Sequence, residues 1–79
     1  MKDVFETVSQ LIAAKKGIEP TEIALSHSFE ELGLDSLDSV EVIGDLEDHF
    51  GVNIPNQEVL QIKTIQEAVD SLARLVNGQ

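Results

Sequence analysis

Residues 35–51, Asp35-Ser36-Leu37-Asp38-Ser39-Val40-Glu41-Val42-Ile43-Gly44-Asp45-Leu46-Glu47-Asp48-His49-Phe50-Gly51, contain both ends of a helix. Asp35 followed three residues later by Asp38 has the form of an N-terminal capping box, and Gly51 supplies a left-handed-capable stop. A helix from about Ser36 to Phe50 is expected. Leu37, Val40, Ile43, Leu46 and Phe50 are assigned to its inner face. Asp38, Glu41, Asp45 and Asp48, spaced 3, 4 and 3 apart, fall on one outer stripe. Gly44 interrupts the helix interior at a cost of about 1 kcal/mol relative to alanine.

Helical periodicity continues on both sides. Upstream, Val4, Val8, Leu11 and Ile12 share a face. Asp3 with Glu6 can cap that helix, and Lys15-Lys16-Gly17 can close it. Residues 17–35 lose the period. Pro20 and Gly33 punctuate them, while Ile18, Ile23, Leu25, Phe29 and Leu32 point to a packed-down loop with a short helical turn near Thr21. Downstream, Asn56 to about Ile62 is long enough only for a short helix. Thr64 and Glu67 form a capping box ahead of an apolar stripe of Ile65, Ala68, Val69, Leu72, Leu75 and Val76. The expected fold is all-α: a small four-helix bundle with three longer helices, one short helix and a long first loop. No linker or repeat divides it, so residues 1–79 are expected to form a single domain.

Composition narrows the function. Fifteen acidic residues against five basic ones give a net charge of −10, which argues against nucleic-acid binding. No Lys or Arg lies between Lys16 and Lys63, whereas eleven acids from Glu19 to Glu58 do. Such a surface serves solubility or docks onto basic partners. Like charges one turn apart, such as Glu41 and Asp45, each cost a few tenths of a kcal/mol. With Gly44 the penalty approaches about 2 kcal/mol of a typical margin of roughly 5–15 kcal/mol. The chain has no cysteine, so any thiol chemistry must come from a cofactor. No apolar run approaches membrane-spanning length, and Met1-Lys2-Asp3-Val4 lacks the pattern of a secretory signal. A cytoplasmic monomer is expected.

No catalytic constellation emerges. A nucleophilic serine needs a nearby base and an oxyanion hole in a water-excluding cleft, for which a bundle this small has little room. His49 suits a helix C-terminus, and His27 is expected to be a solvated loop residue. A Gly-Asp-Ser-Leu hydrolase motif is broken by Leu34 between Gly33 and Asp35. Asp35, Asp38 and Glu41 are spaced by three rather than alternating about a glycine, so no calcium loop is formed. Only loose divalent binding along the acidic stripe is expected.

The run Leu32-Gly33-Leu34-Asp35-Ser36-Leu37-Asp38-Ser39-Val40-Glu41 resembles the acyl carrier protein family around its Asp-Ser-Leu attachment motif. Phe29 before it, Phe50-Gly51-Val52-Asn53-Ile54-Pro55 after it and the final amphipathic helix extend the resemblance over nearly the whole chain. The resemblance implies a carrier, not an enzyme. Ser36 would bear 4'-phosphopantetheine, transferred from coenzyme A by a separate transferase, with acyl groups held on the arm's thiol as thioesters. Asp35, Leu37, Asp38, Glu41, Asp45, Glu47 and Asp48 would form the recognition face. Its partners would be basic surfaces of phosphopantetheinyl transferase, acyl synthases and acyltransferases. Complementary charge of that kind speeds and orients encounter and weakens in salt. The small aliphatic core could also open between helices to shelter an acyl chain.

Two positions depart from the family pattern. Gly44 stands where bacterial fatty-acid carriers have a bulky apolar residue, and Leu60 where many have an acid. Both point towards a specialised carrier in fatty-acid or related acyl biosynthesis. Polyketide, aminoacyl and D-alanyl carriers remain open alternatives. An unmodified acidic helical adaptor or nucleic-acid mimic is the rival from another class.

Overall fold

The computed structural model describes residues 4–78. Its order is α1 (Val4–Lys16), a single 3-10 turn (Pro20–Glu22), α2 (Ser36–Phe50), α3 (Asn56–Gln61) and α4 (Ile65–Asn77). Among the described residues there is no strand, only one antiparallel bridge between Ser28 and Thr64. The proposed Asp3 cap lies outside the described residues. Gly17 and Gly51 end α1 and α2 with φ of 72° and 68°, where a side chain would be strained.

The capping boxes form as the spacing predicts. Asp35 Oδ1 accepts from the Asp38 N–H at 2.8 Å, and Thr64 Oγ1 accepts from the Glu67 N–H at 3.1 Å. Glu67 Oε1 returns the bond, accepting from the N–H groups of Lys63 and Thr64. These donors hold its carboxyl below the usual carboxylate range.

Val8 and Ile12 of α1, Val42 and Leu46 of α2, and Ile65 and Leu72 of α4 are almost wholly removed from water. Each such side chain contributes about 1.5–3 kcal/mol. Phe29 is the buried aromatic, and Ile23, Leu34, Ile54 and Ile62 bring the connecting segments onto the same core.

The inner face of α2 differs from expectation. Val42, Ile43 and Leu46 are buried, with Phe50 half-buried, but Leu37 is 74% exposed and Val40 57%. Successive steps of three residues each turn about 300°, so each falls about 60° short of a full revolution. Leu37 and Leu46 therefore end on opposite sides of the helix.

The long first loop is tightly organised. Ser28 and Glu31 cap one another across a turn at 2.8 and 3.0 Å. The Phe29 N–H donates to the Lys63 carbonyl at 2.9 Å, while the N–H groups of Ile65 and Gln66 donate to the carbonyls of His27 and Leu25. The loop is thus sewn to the start of α4, and the Leu34 N–H, bonded to the Phe29 carbonyl, leads straight into α2. His27 is not a plain solvated residue: its Nδ1 accepts from the Ala24 N–H at 3.0 Å and closes its own turn.

Candidate carrier site at the start of helix 2

Asp35 has extended backbone angles and commits its carboxylate to the helix start, so Ser36 becomes the first residue of α2. Ser36 is exposed. Beside it opens a groove of about 450 Å³, walled by Phe29 and Leu34 from the loop, Val40 and Ile43 from α2, and Val59 and Ile62 from the α3 region. Leu60 lies on its rim and is 74% exposed. A primary hydroxyl at a helix start, next to an aliphatic groove, fits a phosphodiester-linked arm. Helix N-termini present unpaired N–H groups and positive dipole to a phosphate. Asp35 and Asp38 work against that anion, although their carboxylates are already engaged in the reciprocal cap.

Neither histidine lines this groove. His49 is thirteen residues from Ser36 along α2, about 20 Å of helix rise. It packs edge-on against Phe50 with ring centroids 4.9 Å apart. The Nδ1 of His27 is engaged with Ala24. Among the described residues no group of three His, Cys, Asp or Glu side chains can hold a metal ion.

The remaining residues assigned to recognition divide. Leu37, Glu41, Asp45 and Asp48 are exposed, with Asp38 half-buried beside them. Glu47 departs from this group, because its Oε2 accepts from the buried Ile54 N–H at 2.5 Å and holds the α2–α3 connection. Lys15, which sequence patterning treats only as a helix end, donates to Glu41 Oε1 at 2.6 Å. Glu58 on α3 accepts from the Ser71 hydroxyl at 2.6 Å and from Arg74, both on α4. Those two donors hold the Glu58 carboxyl below the usual range. Of the groove residues on the α3 side, Leu60 is the one that the sequence marks, standing where many members of the family have an acid, while Val59 beside it carries no such signal.

Residues 6–72 match the family model described as a phosphopantetheine attachment site. An acyl carrier protein of Phaeodactylum tricornutum is 41% identical over 75 residues, 94% of this chain and 99% of the relative. The solved acyl carrier protein of Enterococcus faecalis is 27% identical, with a TM-score of 0.78 over 91% of this chain and 92% of that one. The fold also matches the acyl carrier protein of Thermotoga maritima, with a TM-score of 0.81 at 22% identity over 91% and 85% of the two chains. Fold and site thus define a helical carrier, not an enzyme. The chain belongs to the phosphopantetheine-attachment family, as an acyl carrier protein. Its prosthetic group is 4'-phosphopantetheine, and proteins of this family work with synthases and transferases.

Proposed function

We propose that Ser36 is the residue esterified by 4'-phosphopantetheine and that residues 1–79 act as a single, monomeric, cytoplasmic carrier domain. The arm supplies a thiol on which acyl groups ride as thioesters. The chain supplies a fixed hydroxyl at the head of α2, a place for the cargo and a face for visitors. One observation carries this reading: Ser36 is exposed at the first position of a doubly capped helix, at the mouth of an aliphatic groove.

Leu37, Asp38, Glu41, Asp45 and Asp48 form the docking face for basic surfaces of phosphopantetheinyl transferase, acyl synthases and acyltransferases, with Asp35 at its edge. Glu47 contributes charge while holding the loop behind it. The apolar wall of Val40, Ile43, Val59 and Ile62 favours an aliphatic acyl cargo, with Glu30, Ser39 and Lys63 as the polar part of the lining. A role in fatty-acid or related acyl biosynthesis follows.

The test is intact mass after incubation with coenzyme A and a broad phosphopantetheinyl transferase. The wild type should gain one phosphopantetheine and Ser36→Ala none. Gain by the variant, or by neither protein, refutes the assignment; the second result would favour an adaptor that acts through charge alone.

A further inference from the structure

The acidic stripe of α2 already carries a cation. Lys15, near the end of α1, reaches across to α2 and donates to Glu41 Oε1 at 2.6 Å. Its side chain is 28% exposed, against 61% for that of Glu41, so the lysine stem lies along the protein while the carboxylate remains open to water. Asp38 and Asp45, one turn to either side of Glu41, add to the field at the ammonium. Lys16 follows directly, but its ammonium lies over Gly33, within 3.8 Å of where a Cβ would stand. Two adjacent lysines at one helix end therefore have different surroundings, and only Lys15 is drawn into the stripe.

We propose that Lys15 is a built-in competitor for the partner's cation. A visiting Lys or Arg can engage Glu41 only by displacing Lys15, and docking at this point is an exchange of one ion pair for another. The inference rests on α2 being the docking face. In the free carrier, Lys15 relieves the repulsion among Asp38, Glu41 and Asp45. In the complex it is released into water, where its long stem regains rotamer freedom. The gain on docking at Glu41 is thereby limited to the difference between two exposed pairs. Small differences of this kind keep encounters brief. They also leave affinity at this point adjustable by whatever neutralises Lys15.

The experiment measures kcat/KM of phosphopantetheine transfer by a broad transferase, at low and high salt. The variants are Lys15→Gln, Lys15→Met, Lys16→Gln, Glu41→Gln, Asp38→Asn, Asp45→Asn and the double variant Lys15→Gln/Glu41→Gln. The methionine keeps an unbranched apolar stem, and circular dichroism with melting verifies that each variant is folded. Both Lys15 variants should raise low-salt kcat/KM about two- to five-fold, the range of an exposed ion pair. High salt should erase that gain. Lys16→Gln makes the same change in net charge and should gain less. Combined with Glu41→Gln, the Lys15 substitution should gain nothing further. Lys15 variants that match Lys16→Gln, or that slow transfer, overturn the exchange. If Asp38→Asn and Asp45→Asn still slow transfer in that case, the docking face survives without it. If no acidic variant changes the rate, both proposals fall together.

Discussion

The Ser71 hydroxyl, on a buried turn of α4, donates at 2.6 Å to Glu58 Oε2 on α3, and the Arg74 guanidinium reaches the same oxygen. This pairing ties the short helix to α4 across sixteen residues of sequence.

The tie gives a pH dependence with a definite sign. The Ser71 hydroxyl and the Arg74 guanidinium hold the Glu58 carboxyl below its ordinary range. Its contribution is therefore fully present above the unfolded-state value, roughly pH 4, and is lost as pH falls through the lower folded-state value. Glu58→Gln keeps an acceptor but not the charge. It should melt below wild type at pH 7, and the gap should close in acid. A gap that is constant from pH 7 to pH 3 would show that the charge plays no part.

Glu47 makes a second tie, to the buried Ile54 N–H at 2.5 Å. Glu47→Ala should strand that donor at a cost of about 1–3 kcal/mol. Glu47→Gln retains a carbonyl acceptor and should lose less. Thermal denaturation separates the two, and equal losses would contradict the bond.

At Gly44 no atom outside its own helix and its chain neighbours lies within 4 Å of where a Cβ would stand, and the residue is mid-helix with no positive φ. Gly44→Ala should stabilise the protein by up to about 1 kcal/mol. For a domain of this size that raises Tm by about 4–8 °C. A lower melting temperature would mean that the helix needs the glycine's freedom.

The α2 stripe, which Lys15 offsets only in part, predicts a response to ions. Mg²⁺ or Ca²⁺ should raise Tm gradually, and simple salt at matched ionic strength should reproduce part of the rise, since screening weakens repulsion between Asp38, Asp45 and Asp48. A melting curve indifferent to all three would remove repulsion as a cost of this surface.

Much of this structure was legible in the chain because its signals are local. Capping boxes span three residues, so the starts of α2 and α4 could be placed from Asp35–Asp38 and Thr64–Glu67. Gly51 marked the end of α2 in the same way. The phase of α2 is harder to read, since steps of three look helical yet drift around the axis, so the spacing that groups Leu37 and Val40 with Ile43 and Leu46 does not keep them out of solvent. Pairs such as Lys15–Glu41, twenty-six residues apart, leave no periodic trace, because long exposed side chains follow no pattern. The loop's anchorage is invisible for another reason: backbone N–H and carbonyl groups are the same in every residue. The bonds that His27 and Glu47 accept, from the N–H groups of Ala24 and Ile54, are hidden for the same reason.

The stitching of the first loop to α4 also dictates an order of assembly. The bonds from Phe29 to Lys63 and from Ile65 to His27 close a circuit that contains the whole of α2 and α3. Closing it costs chain entropy before any of those bonds repays it. The start and stop signals of α2 are local to it, but the wall built from Phe29 and Ile62 exists only after the far end of the chain has arrived. On a ribosome, the serine would emerge before the groove beside it could be built.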